Sequence, residues 1–503
     1  MYAVFIDFKK AYDTIDREKL FARLKTLGIN GTFLNNIISM YKDTKYNIKL
    51  RDGFLKAINS NLGLKQGCPL SPMLFNIYID DIENIFDDIC DPPFILDEKI
   101  HHFLYADDLV LLSLSAEGLQ RSLNKVSEYA KQKDLTISIK KSKSMIFNNT
   151  GRHLRKQFSI GGKYLDSVST FCYLGFEVKP SGTVSHAMSV LHEKAKKAMR
   201  SIMCAIYRFN LPVKLAIKLF HTYISPIILY NVENWTILTE KKLNKQFNKT
   251  DIYDEIDTSK TDIILRKLLK NVIGVSKSCP NMALYGELGD LPLSLKGYRI
   301  MLNYWHRLKN LPNDSLLKKA LLVNTELRTG WIQTVERLIK SFDLVIETNS
   351  DTHKFQEKTK KNIQEYYTSI WKEKINESNS SRLKVYKAIN NKFIPPKHLI
   401  LPLHMRKLIS KIRCSDHHLE IERGRHLKID QAKRICTNCG LGAVEDEKHF
   451  LIECTTYQGV REKYNMHAVS LHDFLNTENQ GNLAKYLKEA YELRDKLLNR
   501  QHL

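Results

Sequence analysis

Three carboxylates set the chemistry this chain can do: Asp7, and the pair Asp107-Asp108 a hundred residues later. Asp7 ends an apolar run, Ala3-Val4-Phe5-Ile6, with the pattern of a buried strand. Asp107-Asp108 sits inside Phe103-Leu104-Tyr105-Ala106-Asp107-Asp108-Leu109-Val110-Leu111-Leu112, the pattern of a tight hairpin. Carboxylates delivered to adjacent strand ends repel one another unless divalent cations neutralise them, and two such cations about 3.5–4 Å apart are the arrangement that serves phosphoryl transfer.

Two segments between these acids have residue types suited to a nucleotide. Tyr12 follows Asp7 by five positions, where a turn after the strand would set its ring beneath an incoming sugar; the ring would stack on a deoxyribose and clash with a 2′-hydroxyl. The alternative for Tyr12 is a place in the core. In Gly63-Leu64-Lys65-Gln66-Gly67-Cys68-Pro69-Leu70-Ser71-Pro72, Ser71-Pro72 reads as a helix start, with Ser71 as N-cap and Pro72 at the first helical position. Gly67 lets a ligand approach the backbone closely, and the Gln66 amide can both donate and accept. Asp80-Asp81 and Asp87-Asp88 read as solvated surface acids.

Taken in order, these segments resemble the reverse transcriptase family in its non-LTR, LINE-type (jockey-like) retrotransposon branch. Asp7, Ala11, Tyr12 and Asp13 match Asp-x-x-x-Ala-(Phe/Tyr)-Asp; Gln66, Gly67, Ser71 and Pro72 match Gln-Gly-x-x-x-Ser-Pro; Tyr105 to Asp108 is Tyr-Ala-Asp-Asp. Leu135 to Lys143 is similar to the Gly-Leu-x-x-Asn-x-x-Lys-Thr segment, with Asp134 in place of the glycine and Ser138 in place of the asparagine. Tyr173-Leu174-Gly175 matches the hairpin that supports the primer end, and Leu229-Tyr230 to Trp235 and Leu284-Tyr285-Gly286-Glu287-Leu288-Gly289 are similar to the thumb and downstream connection of such elements.

The resemblance implies an RNA-directed DNA polymerase. Asp7 and Asp107 would bind two Mg²⁺ ions with Asp108 assisting, and Lys141 would be the general acid for the pyrophosphate leaving group. Tyr12, Gln66, Gly67, Tyr105, Tyr173, Leu174 and Gly175 would contact substrate. The implied partners are an RNA template, a DNA primer, deoxynucleoside triphosphates and the ribonucleoprotein of the element RNA. The family has a fingers region upstream of the first motif, and many relatives have an endonuclease domain; six residues precede Asp7 here. A truncated polymerase with weakened activity is therefore expected, and the competing expectation is an inactive or domesticated nucleic-acid-binding remnant.

A second group lies near the C-terminus. Cys436 and Cys439 form Cys-x-x-Cys, nine residues separate Cys439 from His449, and four more lead to Cys454. Tetrahedral Zn²⁺ takes four such ligands, and the set predicts a structural zinc site, with Gly440 making the tight turn after the second cysteine. The spacing resembles the zinc-binding segment found after non-LTR reverse transcriptase domains. Arg423, Arg425, Lys428, Lys433 and Arg434 nearby suit phosphate, so the module is expected to hold RNA or DNA; a purely structural zinc is the alternative.

The bulk numbers agree with a polyanionic partner. Lysine and arginine number 78 against 55 acids, a net charge of +23. Hydrophobic residues make up 43% of the 503, enough for two or more packed domains rather than a disordered basic tail. Nine cysteines without framework spacing, no signal-peptide pattern and no long apolar run predict an intracellular protein of the cytoplasm and nucleus, without a membrane partner.

The elements that must position the acids read as α+β up to about residue 180: strands at 3–8 and 46–58, helices at 16–27, 31–41, 72–87 and 116–132, the hairpin at 100–113, and short strands near 135–147, 157–165 and 171–178. From about 184 the pattern is helical, with Met188, Leu191, Ala195, Met199 and Ile202 on one face. Residues 238–262 read as a polar loop, and 341–382 as a sparsely apolar stretch ending in a linker at Asn376. The expected architecture is a right-hand polymerase palm with partial fingers over 1–180, a helical thumb over 181–310, a helical connection over 311–425, a zinc-binding module over 426–470 and a helical tail over 471–503.

Overall fold

The computed structural model describes all residues except 48, 52, 55–57, 236–250, 346–350 and 502–503. Two compact units are present, one of residues 1–187 with 314–323, the other of residues 188–313 with 324–503.

The first unit is built on the strand Tyr2–Asp7, the middle strand of five in the order 166–167, 143–146, 2–7, 108–113, 102–105. Its partners Asp108–Ser113 and Lys143–Ile146 both run antiparallel to it. Side chains alternate across a strand, so Ala3-Val4-Phe5-Ile6 is buried throughout only because both faces are covered. Val4, Ile6, Leu109 and Leu111 join a core with Leu74 and Phe75 of the helix Ser71–Ile79 and Leu119, Leu123 and Val126 of the helix Ala116–Gln132. Ala3, Phe5, Val110, Leu112 and Met145 face the other way, beneath the hairpin formed by Phe171–Tyr173 and Phe176–Val178. Phe171 stacks on Phe5 with ring centroids 4.2 Å apart.

The helices start where their caps allow. Asp16 accepts from the amides of Glu18 and Lys19 ahead of Arg17–Thr26, and Ser115 accepts from the Gly118 amide ahead of Ala116–Gln132. Ser71, expected as an N-cap, is instead the first helical residue: its hydroxyl donates to the Lys65 carbonyl and meets the Tyr41 hydroxyl, tying the Gln66-Gly67 loop to the helix. The strand expected over 46–58 is two short hairpins, Lys45–Tyr46 with Ile58–Asn59 and Lys49–Leu50 with Gly53–Phe54; residues 48, 52 and 55–57 of that expectation lie outside the described residues. Asp81, read as a surface acid, is half-buried between Lys133 at 2.8 Å and the Tyr129 hydroxyl at 2.6 Å.

The second unit is helical. Ser185–Arg208 buries Leu191, Ala195 and Met199, as its spacing predicts. Two expectations fail here. Residues 251–262, read as loop, form the helix Asp251–Thr258 and the start of Lys260–Ile273, because Ile252, Tyr253 and Ile256 share one buried face; residues 236–250 lie outside the described residues. Most of 341–382 is the 26-residue helix Thr352–Glu377, whose Phe355, Ile363, Tyr366, Tyr367, Ile370 and Trp371 form a buried stripe among lysines and glutamates. The expected linker at Asn376 shrinks to residues 378–380 between that helix and the turn Ser381–Leu383. Among the described residues, no helix is long and apolar enough to cross a membrane.

The Leu284 to Gly289 segment lies on the helix Asn281–Leu288 in the core of this unit. Glu287, fully buried, receives the Arg413 guanidinium at 2.6 Å, and Arg413 also donates to the Leu475 carbonyl and Asn476. A buried carboxylate needs such a partner. At Gly286 a side chain has no room: a Cβ would stand 2.3 Å from Cζ2 of Trp371, whose indole N–H is fixed on the Met282 carbonyl. Gly286→Ala is therefore expected to destabilise this unit by on the order of 1–3 kcal/mol, read as a lower urea midpoint in tryptophan fluorescence; an unchanged midpoint would show that the indole can move aside.

Candidate active site and metal centre

The antiparallel register sets Asp7 directly opposite Asp108, with Tyr105 opposite Asp108 on the other side. Cross-strand neighbours share a face, with Cβ atoms about 4.5–5.5 Å apart. Counting back by twos, both acids extend the row that begins with Ala3, Phe5, Leu112 and Val110, the face covered by the Tyr173 hairpin. Asp107 occupies the turn itself. Only two residues, Ala106 and Asp107, connect the strands, and of these only Ala106 takes a left-handed backbone, φ +52°, which is the pattern of a type II′ hairpin. An alanine held there is strained, and such strain persists only when the surrounding pairs over-determine it.

The electrostatics follow from that geometry. The Asp108 carboxyl is pushed up from the usual carboxylate range by loss of water and by the charges of Asp107 and Asp7, while Lys141 pulls the other way. Burial, then the Asp107 charge, raises the Tyr12 phenol; burial, then the Asp108 charge, raises that of Tyr173. All three acids, Tyr12, Tyr173 and Lys141 thus share one electrostatic neighbourhood. Lys141 donates to Oδ1 of Asp7 at 3.2 Å, whereas Oδ2 of Asp7 is buried without a hydrogen-bond partner. One lysine against three carboxylates leaves a net negative pocket with an unsatisfied oxygen, and a hard divalent cation is the ligand that such oxygens fit.

Lys141 reaches Asp7 through a turn rather than a strand. The Ser138 amide donates to the Asp7 carbonyl, and the Ser138 carbonyl takes the amides of Lys141 and Ser142. Asp134, standing where a glycine was expected from the resemblance, adopts φ +54°, the conformation that glycine serves and aspartate tolerates.

Tyr12 stacks on Phe75 with ring centroids 4.6 Å apart and planes 15° from parallel, and is half-buried. Gln66 donates its amide to Asp13 at 2.9 Å, and the Leu64 amide donates to the Tyr12 carbonyl, so the two loops are joined. Gly67 has φ +83° with nothing within 4 Å of where a Cβ would stand: conformation, not crowding, selects glycine there, and the open side faces no protein. Leu174 and Gly175 form the two-residue turn of their hairpin, both with positive φ. The Tyr105 ring is largely exposed.

Sequence reasoning missed Arg17. Its guanidinium is buried and donates to the carbonyls of Gly63, Tyr41, Ser60 and Leu62, at 2.7–3.1 Å, with its charge over the Tyr41 ring. It fixes the loop that carries Gln66. No local pattern marks an arginine for burial; its position at the first turn of a helix reads as an ordinary surface charge.

At the C-terminal group, one ligand atom from each of Cys436, Cys439, His449 and Cys454 lies within 4.8 Å of the others. Tetrahedral zinc holds such atoms about 3.3–3.8 Å apart, so a modest contraction closes the shell. Nε2 of His449 faces the thiols, 3.4 Å from Sγ of Cys439, leaving Nδ1 buried and unpartnered. Without a cation, burial pushes the Cys436 thiol up to about 12; a bound zinc would deprotonate it. The knuckle is a short antiparallel contact, Ile435 opposite Val444, in which the Cys436 amide donates to the Ala443 carbonyl. Gly442, with φ +59°, makes its left-handed turn; Gly440, the expected position, does not.

The basic neighbours are less available than their sequence suggests. Arg423 pairs with Glu420, Arg425 chelates Glu422, and Arg434 donates to the carbonyls of Ile421 and Ile429; Lys428 and Lys433 are exposed. The chain is expected to hold one equivalent of zinc by elemental analysis, lost in Cys436→Ser/Cys439→Ser and released as the pH falls and protons compete for the thiolates. A wild-type protein folded at this end without metal would overturn the assignment.

Residues 1–178 match the family described as Reverse transcriptase (RNA-dependent DNA polymerase). Among curated proteins, the chain is 26% identical over 200 residues to a Retrovirus-related Pol polyprotein from type-1 retrotransposable element R2 of Nasonia vitripennis, covering 38% of this chain and 19% of that one. It is 25% identical over 311 residues to an R2 polyprotein of Popillia japonica, covering 59% and 40%, and 23% identical over 253 residues to a Probable RNA-directed DNA polymerase from transposon BS of Drosophila melanogaster, covering 48% and 27%. The chain therefore spans well under half the length of these relatives.

Proposed function

We propose, for a chain whose residues 1–178 form a reverse transcriptase domain of the non-LTR retrotransposon type, that the site of Asp7, Asp107 and Asp108 performs RNA-directed DNA synthesis. The observation that carries the reading is the register of Asp7 opposite Asp108 together with the unsatisfied buried oxygen of Asp7. Asp7 and Asp107 would hold two Mg²⁺ ions, with Asp108 adding charge beside them. Magnesium bound there would lower the pKa of the primer 3′-hydroxyl and stabilise the charge of the triphosphate and of the leaving pyrophosphate.

The chain's own groups do the positioning. Lys141, exposed apart from its contact with Asp7, is a flexible cation at the edge of the acid group. Its ammonium, held only by that contact, would be the proton donor to the leaving group. The Tyr12 ring, backed by Phe75, cannot retreat from a 2′-hydroxyl, which supports its role in selecting deoxyribose. Gln66, held by Asp13, and Gly67 would line the nucleotide and template side, and Tyr105 and the Tyr173-Leu174-Gly175 hairpin would support the primer end. In this reading residues 1–180 are a palm with partial fingers, 181–310 a thumb, 311–425 a connection, 426–470 a zinc module that holds RNA or DNA, and 471–503 a tail. The partners are an RNA template, a DNA primer, deoxynucleoside triphosphates and the element's ribonucleoprotein, in the cytoplasm and nucleus.

Primer extension on an RNA template with Mg²⁺ tests this. Asp7→Ala and Asp107→Ala should fall to background while binding RNA within about threefold of wild type. Extension by either variant would refute the assignment, and a wild-type chain that binds but never extends would favour a nucleic-acid-binding role alone. Tyr12→Ala should raise the kcat/KM ratio for ribonucleotides over deoxynucleotides by about 10–200-fold, the range expected when a pocket's shape alone discriminates; an unchanged ratio would leave Tyr12 as a core residue.

A further inference from the structure

In the second unit a cavity of about 450 Å³ opens between the Ser276–Ser278 turn, the helix Leu403–Arg413 and the helix Glu420–His426. Its walls are unusual in how their charges are spent. Both acids are already engaged: Asp416 accepts from the Ser276 amide and hydroxyl, and Glu422 is chelated by Arg425. Two of the cations are not. Among the described residues the side chains of Arg382 and Lys411 have no ion-pair or hydrogen-bond partner, and Nε of Arg382 is shielded from water. A guanidinium N–H taken from water with no acceptor is costly, so the position is one that an incoming acceptor would complete. Burial and the neighbouring Lys407 hold the Lys411 ammonium below its ordinary range, against the pull of the Asp416 charge. Around these two stand the rings of His418 and His426, both on exposed residues, and the hydroxyl of Ser278, a donor suited to anionic oxygens; the Ser276 hydroxyl is already given to Asp416.

We propose that this cavity binds a phosphodiester of the nucleic-acid strand handled by the chain, with Arg382 and Lys411 as its principal contacts. The ligand class rests on the reading of the protein as a nucleic-acid enzyme, but the site is distinct from the acid group at Asp7. It is also distinct from the zinc ligands; Arg423 stands on its wall with its charge paired to Glu420, and Arg425 and Arg434 are engaged by Glu422 and by backbone carbonyls. A planar guanidinium beside a point-charge ammonium, backed by the Ser278 hydroxyl, suits a tetrahedral oxyanion. The volume is ample for a phosphate with part of its sugar. Contact with backbone rather than base implies anchoring without sequence preference.

The test uses the full chain and a fluorescent 20-nucleotide RNA, with affinity measured by anisotropy across a salt series. Arg382→Gln/Lys411→Gln should weaken binding at low salt by about tenfold and reduce the slope of log K against log salt by about 1.5, two contacts of a single strand. Lys392→Gln/Lys485→Gln, which removes two exposed lysines elsewhere in the same unit, should leave the slope within about 0.5 of wild type. Neither substituted residue in the cavity makes a contact whose loss would unfold the chain; if zinc content or melting nevertheless changes, Arg382→Lys, which keeps the charge but not the fork, should still give an intermediate affinity. Equal slopes for the two double variants would overturn the proposal. So would a melting shift of wild type by inorganic phosphate, absent in Arg382→Gln/Lys411→Gln, with RNA affinity unaffected, since the site would then take free phosphate only. Primer extension at saturating RNA should persist in the cavity variant, so its failure there is separable from failure of the polymerase reading.

Discussion

The antiparallel pairing of Tyr2–Asp7 with Asp108–Ser113 is the constraint on which the active centre depends. Side chains alternate with a period of two, so a slip of one residue in this pairing would turn Asp7 away from Asp108 and bring Ile6 or Phe8 to the acid face. The slip is prevented by burial: Val4 and Ile6 belong to the helix-side core, and Ala3 and Phe5 to the core under the Tyr173 hairpin. The apolar residues of the strand therefore stabilise the fold and, by fixing register, also hold in place carboxylates that repel one another. The repulsion is visible in the raised carboxyl of Asp108, a local cost set against the surrounding cores.

The second unit solves a different problem, that of burying charge in a basic chain. Glu287 with Arg413, Glu445 with Arg494 at 2.6 and 2.7 Å, and Glu447 with the His417 ring at 2.8 Å and the Ser415 hydroxyl are each enclosed, and each carboxylate finds a hydrogen-bond partner. Replacing one partner alone would leave an uncompensated buried ion, so these pairs fix which helices meet even where their net contribution to stability is small. The Glu445 carboxylate also accepts from the Glu420 amide and lies on the chain that leads from the thiol knuckle to His449, which links the Cys/His cluster to the C-terminal helix through Arg494. Against this background Arg382 and Lys411 are two half-buried cations whose side chains have no partner among the described residues.

What the sequence made legible follows from range. Strand 2–7, the 102–113 hairpin and helix 116–132 are set by local periodicity and caps, and the residues themselves announce them. The helix Asp251–Thr258 was masked by its polar majority, although Ile252, Tyr253 and Ile256 carry the helical spacing; the same holds for Thr352–Glu377, where the apolar stripe is diluted by lysine. Ser71 has the composition of an N-cap but is drawn inward by Lys65 and Tyr41, contacts that depend on tertiary structure. Arg17 has no sequence signature because its acceptors are backbone carbonyls. The spacing of Cys436, Cys439, His449 and Cys454 did identify a convergent group, whereas the free charge on its basic neighbours did not survive their pairing within the fold.

The central claim is that Asp7, Asp107 and Asp108 share one cation-binding pocket. Anomalous diffraction from crystals grown with Mn²⁺, a primer-template duplex and a non-hydrolysable deoxynucleotide addresses it most directly. Manganese bound by Asp7 and Asp107, as two peaks about 3.5–4 Å apart, is the expected result. Manganese bound elsewhere, with these carboxylates occupied by Lys141 alone, would contradict it.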